Sequence, residues 1–224
     1  MMKLNIVVLG LVGLSILSAQ PRFDMQVRND FFAGFGGDAA ALDRGMKACE
    51  QVLAQNPKHA EALVWHGGGL FYMSGQLFRK GDANKGMELY GRGLSEMNDA
   101  VALAPENVGV LIPRGATLLT ASRTMPPGDQ ASKLLAQGLI DFEKVYGLQS
   151  SYFDTLSGHA RGELLFGLAE GFVRAGNEAK AREYFEKLAA VGPSSGHDAQ
   201  AKAWLETGKL DRKQATCTGC HVKS

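Results

Sequence analysis

Between residues 26 and 207 the apolar side chains recur three and four positions apart. No stretch alternates apolar and polar residues with the β-branched enrichment of a strand, so the pattern predicts helix after helix and no sheet. Four segments share one spacing: a small residue, an apolar residue beside it, and further apolar residues at the fifth and eighth positions. They are Gly45, Met46, Cys49, Val52; Gly93, Leu94, Met97, Ala100; Gly138, Leu139, Phe142, Val145; and Ala181, Arg182, Phe185, Leu188, the last departing at Arg182. Such offsets gather the apolar members on one helical face. The small residue predicts close approach by another helix.

Each of these segments is expected to have a partner helix before it. Leu63, His66, Gly67 and Leu70 open one, Leu111, Arg114, Gly115 and Leu118 the next, and Leu165, Leu168, Ala169 and Phe172 the last. A weaker first copy holds Phe31, Phe32, Ala33 and Phe35. Pro57, Pro105 and Pro193 each follow a second helix; proline stops a helix because it lacks the N–H and clashes with the preceding turn. Gly81-Asp82 and Pro126-Pro127-Gly128-Asp129 are the expected connecting turns. Pro113 is expected to start or kink its helix.

On these residues the chain resembles the tetratricopeptide repeat (TPR) family. The fullest copy runs from Leu165 to Pro193, with Leu168, Ala169, Phe172, the turn at Gly176, then Ala181, Phe185 and Leu188. The copies at 60–105 and 108–150 match at their ends but run about ten residues over the usual unit of about 34, an excess that extra turns in both helices would explain. The resemblance covers roughly residues 26–207, about four units. The segment from Asp198 to Thr207, with Ala201, Trp204 and Leu205, is expected to be a terminal helix covering the last apolar face. What the resemblance implies is an all-α fold: a right-handed superhelical solenoid of antiparallel helix pairs, a capping helix and an irregular C-terminal tail. It also implies a concave face that binds a peptide or protein segment, and no catalytic residues.

Of the 224 residues 45% are hydrophobic and 21% charged, with a formal net charge of +1. The chain is long enough for one substantial core or one extended array. Arg and Lys are interleaved with Asp and Glu and form no dense basic patch, which argues against nucleic acid or anionic membrane as partners. The acidic residues stand at helical spacing and are expected on solvent faces. Lys3, the apolar run from Leu4 to Leu17, and Ser18-Ala19-Gln20 read as a secretory signal cut after Ala19. The alternative is an uncleaved anchor, but the run falls short of the about 20 apolar residues of a bilayer span. No second run is long enough to cross a membrane. The expected organisation is a signal peptide at 1–19, a repeat domain at 20–207 and a tail at 208–224, in a protein that is exported to the bacterial periplasm or secreted.

The tail carries Cys217-Thr218-Gly219-Cys220-His221, followed in this sequence by Val222, Lys223 and Ser224. Cys-x-x-Cys-His is the haem-attachment signature of c-type cytochromes. Two thiols three positions apart can each form a thioether with one haem vinyl, and the adjacent His offers a ring nitrogen to the iron. The expected cofactor is one covalent haem c, on Cys217 and Cys220 with His221 as axial ligand. Its pocket would have to come from upstream residues or another molecule. A Cys217–Cys220 disulfide and a metal site stay open, the latter short of a fourth ligand. Under either of those readings the chain is a haem-free adaptor. A thioredoxin-like pair is disfavoured because no strand precedes it.

Cys49 stands where the other copies have Met97, Phe142 and Phe185, and is expected in the core. His66 is read as a hydrogen-bonded core histidine. His59, His66, His159, His197 and the methionines are candidates for a second axial ligand, and an open or water-bound position is equally compatible; His159 and His197 are read more simply as exposed polar residues near helix starts. His66-Gly67-Gly68-Gly69 resembles the oxyanion string of some esterases, but no Gly-x-Ser-x-Gly turn accompanies it. Close helix contact explains the glycines better. The expected function is therefore non-enzymatic: a scaffold that docks a protein, a redox protein among the candidates, and exchanges electrons with it.

Overall fold

The computed structural model of the chain describes residues 22–210. Among them are nine α-helices and no strand: α1 (Asp24–Phe35), α2 (Ala39–Gln55), α3 (Ala60–Arg79), α4 (Ala83–Leu103), α5 (Val108–Thr124), α6 (Asp129–Gln149), α7 (Gly158–Arg174), α8 (Glu178–Val191) and α9 (Asp198–Thr207). The protein is all-α in these residues, as the periodicity predicts. None of the described helices is long and apolar enough to cross a membrane.

One turn is used three times. Gly37, Gly81 and Gly176 take positive φ, a conformation that costs glycine little. The next residue's N–H reaches back five positions, from Asp38 to Ala33, Asp82 to Leu77 and Asn177 to Phe172. This closes the leading helix. The same three residues then cap the following helix with their side chains, Asp38 accepting from Ala40 and Ala41, Asp82 from Lys85, and Asn177 from Lys180. A cap of this kind stabilises a helix by about 1 kcal/mol. One short Gly-Asx sequence thus ends a helix, reverses the chain and starts the next. The α5–α6 turn is built differently, around Pro126, Pro127 and Gly128, and α6 has no side-chain cap.

Such short turns set the helices in antiparallel neighbours. α1 packs on α2, α3 on α4, α5 on α6 and α7 on α8; successive leading helices also touch, α1 with α3, α3 with α5 and α5 with α7. α9 lies against α8, where Trp204 stacks on Phe185 with ring centres 4.6 Å apart. Two apolar clusters result. One joins α1 to α4 through Phe31, Trp65, Leu70 and Met97. The other joins α6 to α9 through Phe142, Leu165, Phe172, Phe185 and Trp204. α5 serves both, giving Val110 and Leu118 to the first and Leu111 and Leu119 to the second.

The small residues mark the crossings. A Cβ on Gly93 would sit 2.6 Å from the Gly67 carbonyl oxygen, and one on Gly67 would sit 2.7 Å from that of Gly93. One pair later, a Cβ on Gly138 would sit 3.1 Å from the Gly115 oxygen. In α7 and α8 the equivalent residues are Ala169 and Ala181, both fully buried.

Two expectations change in detail. α4 and α6 have 21 residues each against 14 in α8, about two extra turns. α3 has 20 residues but α5 and α7 both have 17. The extra length therefore lies in both helices of the unit at 60–105, and in the second helix alone at 108–150. Pro113 does not start α5, which is already under way from Val108 with Asn107 as its cap.

Gly93→Ala should destabilise the fold by about 1–3 kcal/mol, because the new methyl meets backbone atoms that cannot yield cheaply. Gly91→Ala, in the same helix with nothing within 4 Å of its Cβ, should stabilise it by about 0.5–1 kcal/mol. Urea unfolding of the two variants should give opposite signs.

Candidate functional site

Cys217, Cys220 and His221 lie outside the described residues, as does the leader at 1–19. Within the described residues the buried polar chemistry is concentrated where helices cross. His66 sits beside the Gly67 crossing, and its Nδ1 is 2.5 Å from Glu96 Oε2. Its Nε2 lies 3.7 Å from Glu50 Oε1. Arg92 Nε donates to the other Glu96 oxygen at 2.8 Å. Burial pushes the Glu96 carboxyl up, but His66 and Arg92 outweigh it and hold the group below its ordinary value.

Arg114 holds the same position one pair later, beside the Gly115 crossing. It grips Asp141 with two bonds, Nε to Oδ2 at 2.8 Å and Nη2 to Oδ1 at 2.6 Å. A third, from Nη1, reaches Asn98 Oδ1 at 2.9 Å. Both side chains are almost fully buried, and burial raises the Asp141 carboxyl against the opposing pull of Arg114. The two acids correspond, since Glu96 precedes Met97 and Asp141 precedes Phe142. In the third pair the same positions are Leu168 and Tyr184, both buried and apolar. A basic side chain meets an acidic one twice, and in the third pair both positions belong to one apolar cluster.

A second set of contacts ties one pair to the next. Arg123 donates to Glu170 at 3.2 and 2.9 Å, linking α5 to α7. Arg174 returns the link, with Nη1 on Ser122 Oγ at 2.7 Å and Nη2 on the Leu119 carbonyl at 3.1 Å. Burial pulls the Arg174 guanidinium below its ordinary value. Nearer the N-terminus, Glu61 accepts from the Asp24 amide and from Asn107 Nδ2.

No family model matches this chain. No curated protein matches it. The resemblance to TPR proteins therefore rests on the residues themselves.

The acidic partners contradict one expectation. Asp141, Glu170 and Glu61 are buried rather than on solvent faces, each held by donors from another part of the chain: Arg114 for Asp141, Arg123 for Glu170, and the Asp24 amide with Asn107 for Glu61. A signal was present in the sequence. The residue before the core Met or Phe is acidic only in the two copies whose leading helix carries His66 or Arg114.

The histidines separate by role. His59 Nδ1 accepts from the Ala62 amide as the cap of α3. His66 is a buried, paired core residue, as read. His197 is not the exposed loop residue expected. It is 2% exposed, stacks on Phe166 with ring centres 4.2 Å apart, and sets Nε2 3.0 Å from Glu163 Oε1. Its loop is pressed onto α7 where Gly158 and Gly162 present no side chain; a Cβ on Gly162 would meet the Ser195 oxygen at 2.1 Å. His159 is about half exposed, 3.9 Å from Glu163. Cys49 is fully buried, and burial pushes its thiol up to about 12, with Glu50 and Glu96 adding to the effect. It is an inert core thiol. Among the described residues no group of three or more His, Cys, Asp or Glu is arranged to hold a metal.

Arg114→Leu should cost about 3–5 kcal/mol, because Asp141 is left charged and buried without a partner. Adding Asp141→Leu, which copies the apolar character of the third pair, should recover most of that loss. Guanidinium unfolding of the single and double variants tests this.

Glu96 titrates lower in the folded chain than its ordinary 4.5. Its stabilising contribution is therefore present above that value and lost as pH falls through the folded value. The stability difference between the unaltered chain and Glu96→Gln should be largest above about pH 4.5 and narrow below it, which unfolding curves across that range would show.

Proposed function

We propose that this chain is an exported helical-repeat scaffold of TPR type that carries one covalent c-type haem on its tail and exchanges electrons with a protein docked on the repeats. Cys217 and Cys220 supply the two thiols, and His221 supplies the ring nitrogen for the iron. The haem, when bound, contributes one-electron chemistry; the chain's own residues position it and recognise the partner. The observation that carries the reading is the pentapeptide itself, in a chain with only three cysteines, of which Cys49 is sealed in the core. An export signal at the other end agrees with it, because bacterial haem attachment to this motif takes place outside the cytoplasmic membrane.

The repeat part of the reading is supported by the recurrence of the Gly-Asx turn, of the small-residue crossings and of the paired helices. The concave face of a right-handed solenoid would be the docking surface for a peptide or protein segment. Gly208 ends α9 in a left-handed conformation, and seven residue steps separate Leu210 from Cys217. Fully extended, they span at most about 25 Å. The haem would thus stay near the α9 end of the stack, close enough to serve a partner held there.

Mass spectrometry of the intact chain, made with a haem-maturation system, tests the reading. The expected result is loss of the first 19 residues and a gain of one haem that survives denaturation. Cys217→Ala with Cys220→Ala should abolish the gain. A colourless product with unmodified or mutually oxidised tail cysteines would overturn the haem assignment and leave a haem-free adaptor.

A further inference from the structure

A cleft of about 220 Å³ opens where the C-terminal ends of α6 and α8 meet the start of α7. It is far from the described crossings in chemical character. Leu165 and Val191 give it apolar surface, while Tyr146 and Phe153 form an aromatic wall. The two rings meet edge to face with centres 5.0 Å apart. Arg161 and Lys187 bring positive charge to the lining.

The two cations are held differently. Lys187 is engaged: its Nζ donates to Glu183 at 2.6 Å and lies 4.9 Å over the Tyr146 ring. Burial pulls the ammonium down, but the hydrogen bonds to Glu183 and Tyr146 carry it above the ordinary lysine value. It stays protonated at neutral pH with its charge largely answered. Arg161 is under-used. A guanidinium has five donors, and the contact found is a long one, Nη1 to Asp154 Oδ1 at 3.4 Å. The Asp154 side chain is 97% exposed, so water competes for it. Arg161 Nε is shut off from solvent and meets no acceptor among the described residues. A buried donor without an acceptor is costly.

We propose that this cleft binds a small aromatic monocarboxylate, the carboxylate on Arg161 and the ring against Tyr146 and Phe153. A cleft of about 220 Å³ has room for one ring and a short acid arm. With Nε sealed from solvent, the outer Nη1–Nη2 edge of Arg161 is the edge a ligand can reach, and a carboxylate matches its two parallel donors. A second negative charge on the ligand would face Asp154, which lines the cleft, with Lys187 already engaged by Glu183, which disfavours phosphate esters. The aromatic wall favours a flat apolar body over acetate, since a ring removes that surface from water. The proposal does not depend on the haem.

Calorimetric titration of the full chain with phenylacetate, and with the neutral phenylacetamide as its isostere, tests this. Phenylacetate should bind saturably, and phenylacetamide at least about tenfold more weakly, the loss expected for a charge-assisted hydrogen bond. Arg161→Gln should weaken phenylacetate by a similar factor, whereas Arg182→Gln, outside the cleft, should leave it unchanged. If Arg161→Gln lowers the melting midpoint, the acid–amide difference on the unaltered chain decides. Equal binding of acid and amide, full affinity in a folded Arg161→Gln chain, or no saturable binding at millimolar phenylacetate would overturn the proposal.

Discussion

Backbone meets backbone at the crossing of α3 with α4, and much of the remaining structure depends on how closely it does so. With Gly67 and Gly93 each aimed at the other's carbonyl, no side chain separates the two helices at that point. Neighbouring side chains are brought within reach across the seam as a result. Met97 lies against Gly67, with its Cγ 3.0 Å from where a Cβ there would stand, and His66 meets Glu96. The same geometry recurs at Gly115 and Gly138, where Phe142 fills the space beside Gly115 and Gly167. A wider crossing would admit water and make the ion pairs optional. A closer one is barred by the carbonyl oxygens.

The buried charges follow from this. Arg114 and Asp141 cannot be solvated where they stand, so each must satisfy the other, and Asn98 takes one remaining donor. Such a pair adds little over a well-packed apolar one, yet either half alone is strongly destabilising. The third pair shows the apolar solution in the same chain, with Leu168 and Tyr184. Between pairs, the Arg123–Glu170 and Arg174–Ser122 contacts do for α5 and α7 what the seams do within a pair.

Much of the helical layout was legible in the residues. The periodicity, the prolines after α2, α4 and α8, and the Gly-Asx turns act locally, over one or two helical turns, and local signals survive in a sequence. The terminal helix Asp198–Thr207 falls where Ala201 and Trp204 predicted it. Long-range partners were less legible. Asp141 has the composition of a surface residue, and only alignment of the copies against one another sets it opposite Arg114. His197 was hidden for another reason: its burial depends on Gly158 and Gly162, some 35 to 40 residues earlier, leaving room for a loop. The proposed haem site at Cys217, Cys220 and His221 rests on a sequence motif alone, because five adjacent residues can be read without a fold.

The contrast between the first two seams and the apolar third also bears on how the helices find their partners. α3 with α4 matches a histidine to a glutamate, α5 with α6 an arginine to an aspartate, and α7 and α8 carry Leu168 and Tyr184 at the same positions. Exchanging the first two acids would still leave each base an anion. Setting α5 against α8 would bury the Arg114 guanidinium on Tyr184 with no carboxylate, and α7 against α6 would bury Asp141 on Leu168. Each error strands a charge in a dry crossing, at a cost of several kcal/mol. The small-residue spacing is nearly the same in all three pairs, so shape alone separates them poorly. The charges separate the third pair from the first two, and α5, the helix that contributes to both apolar clusters, is among the helices so marked.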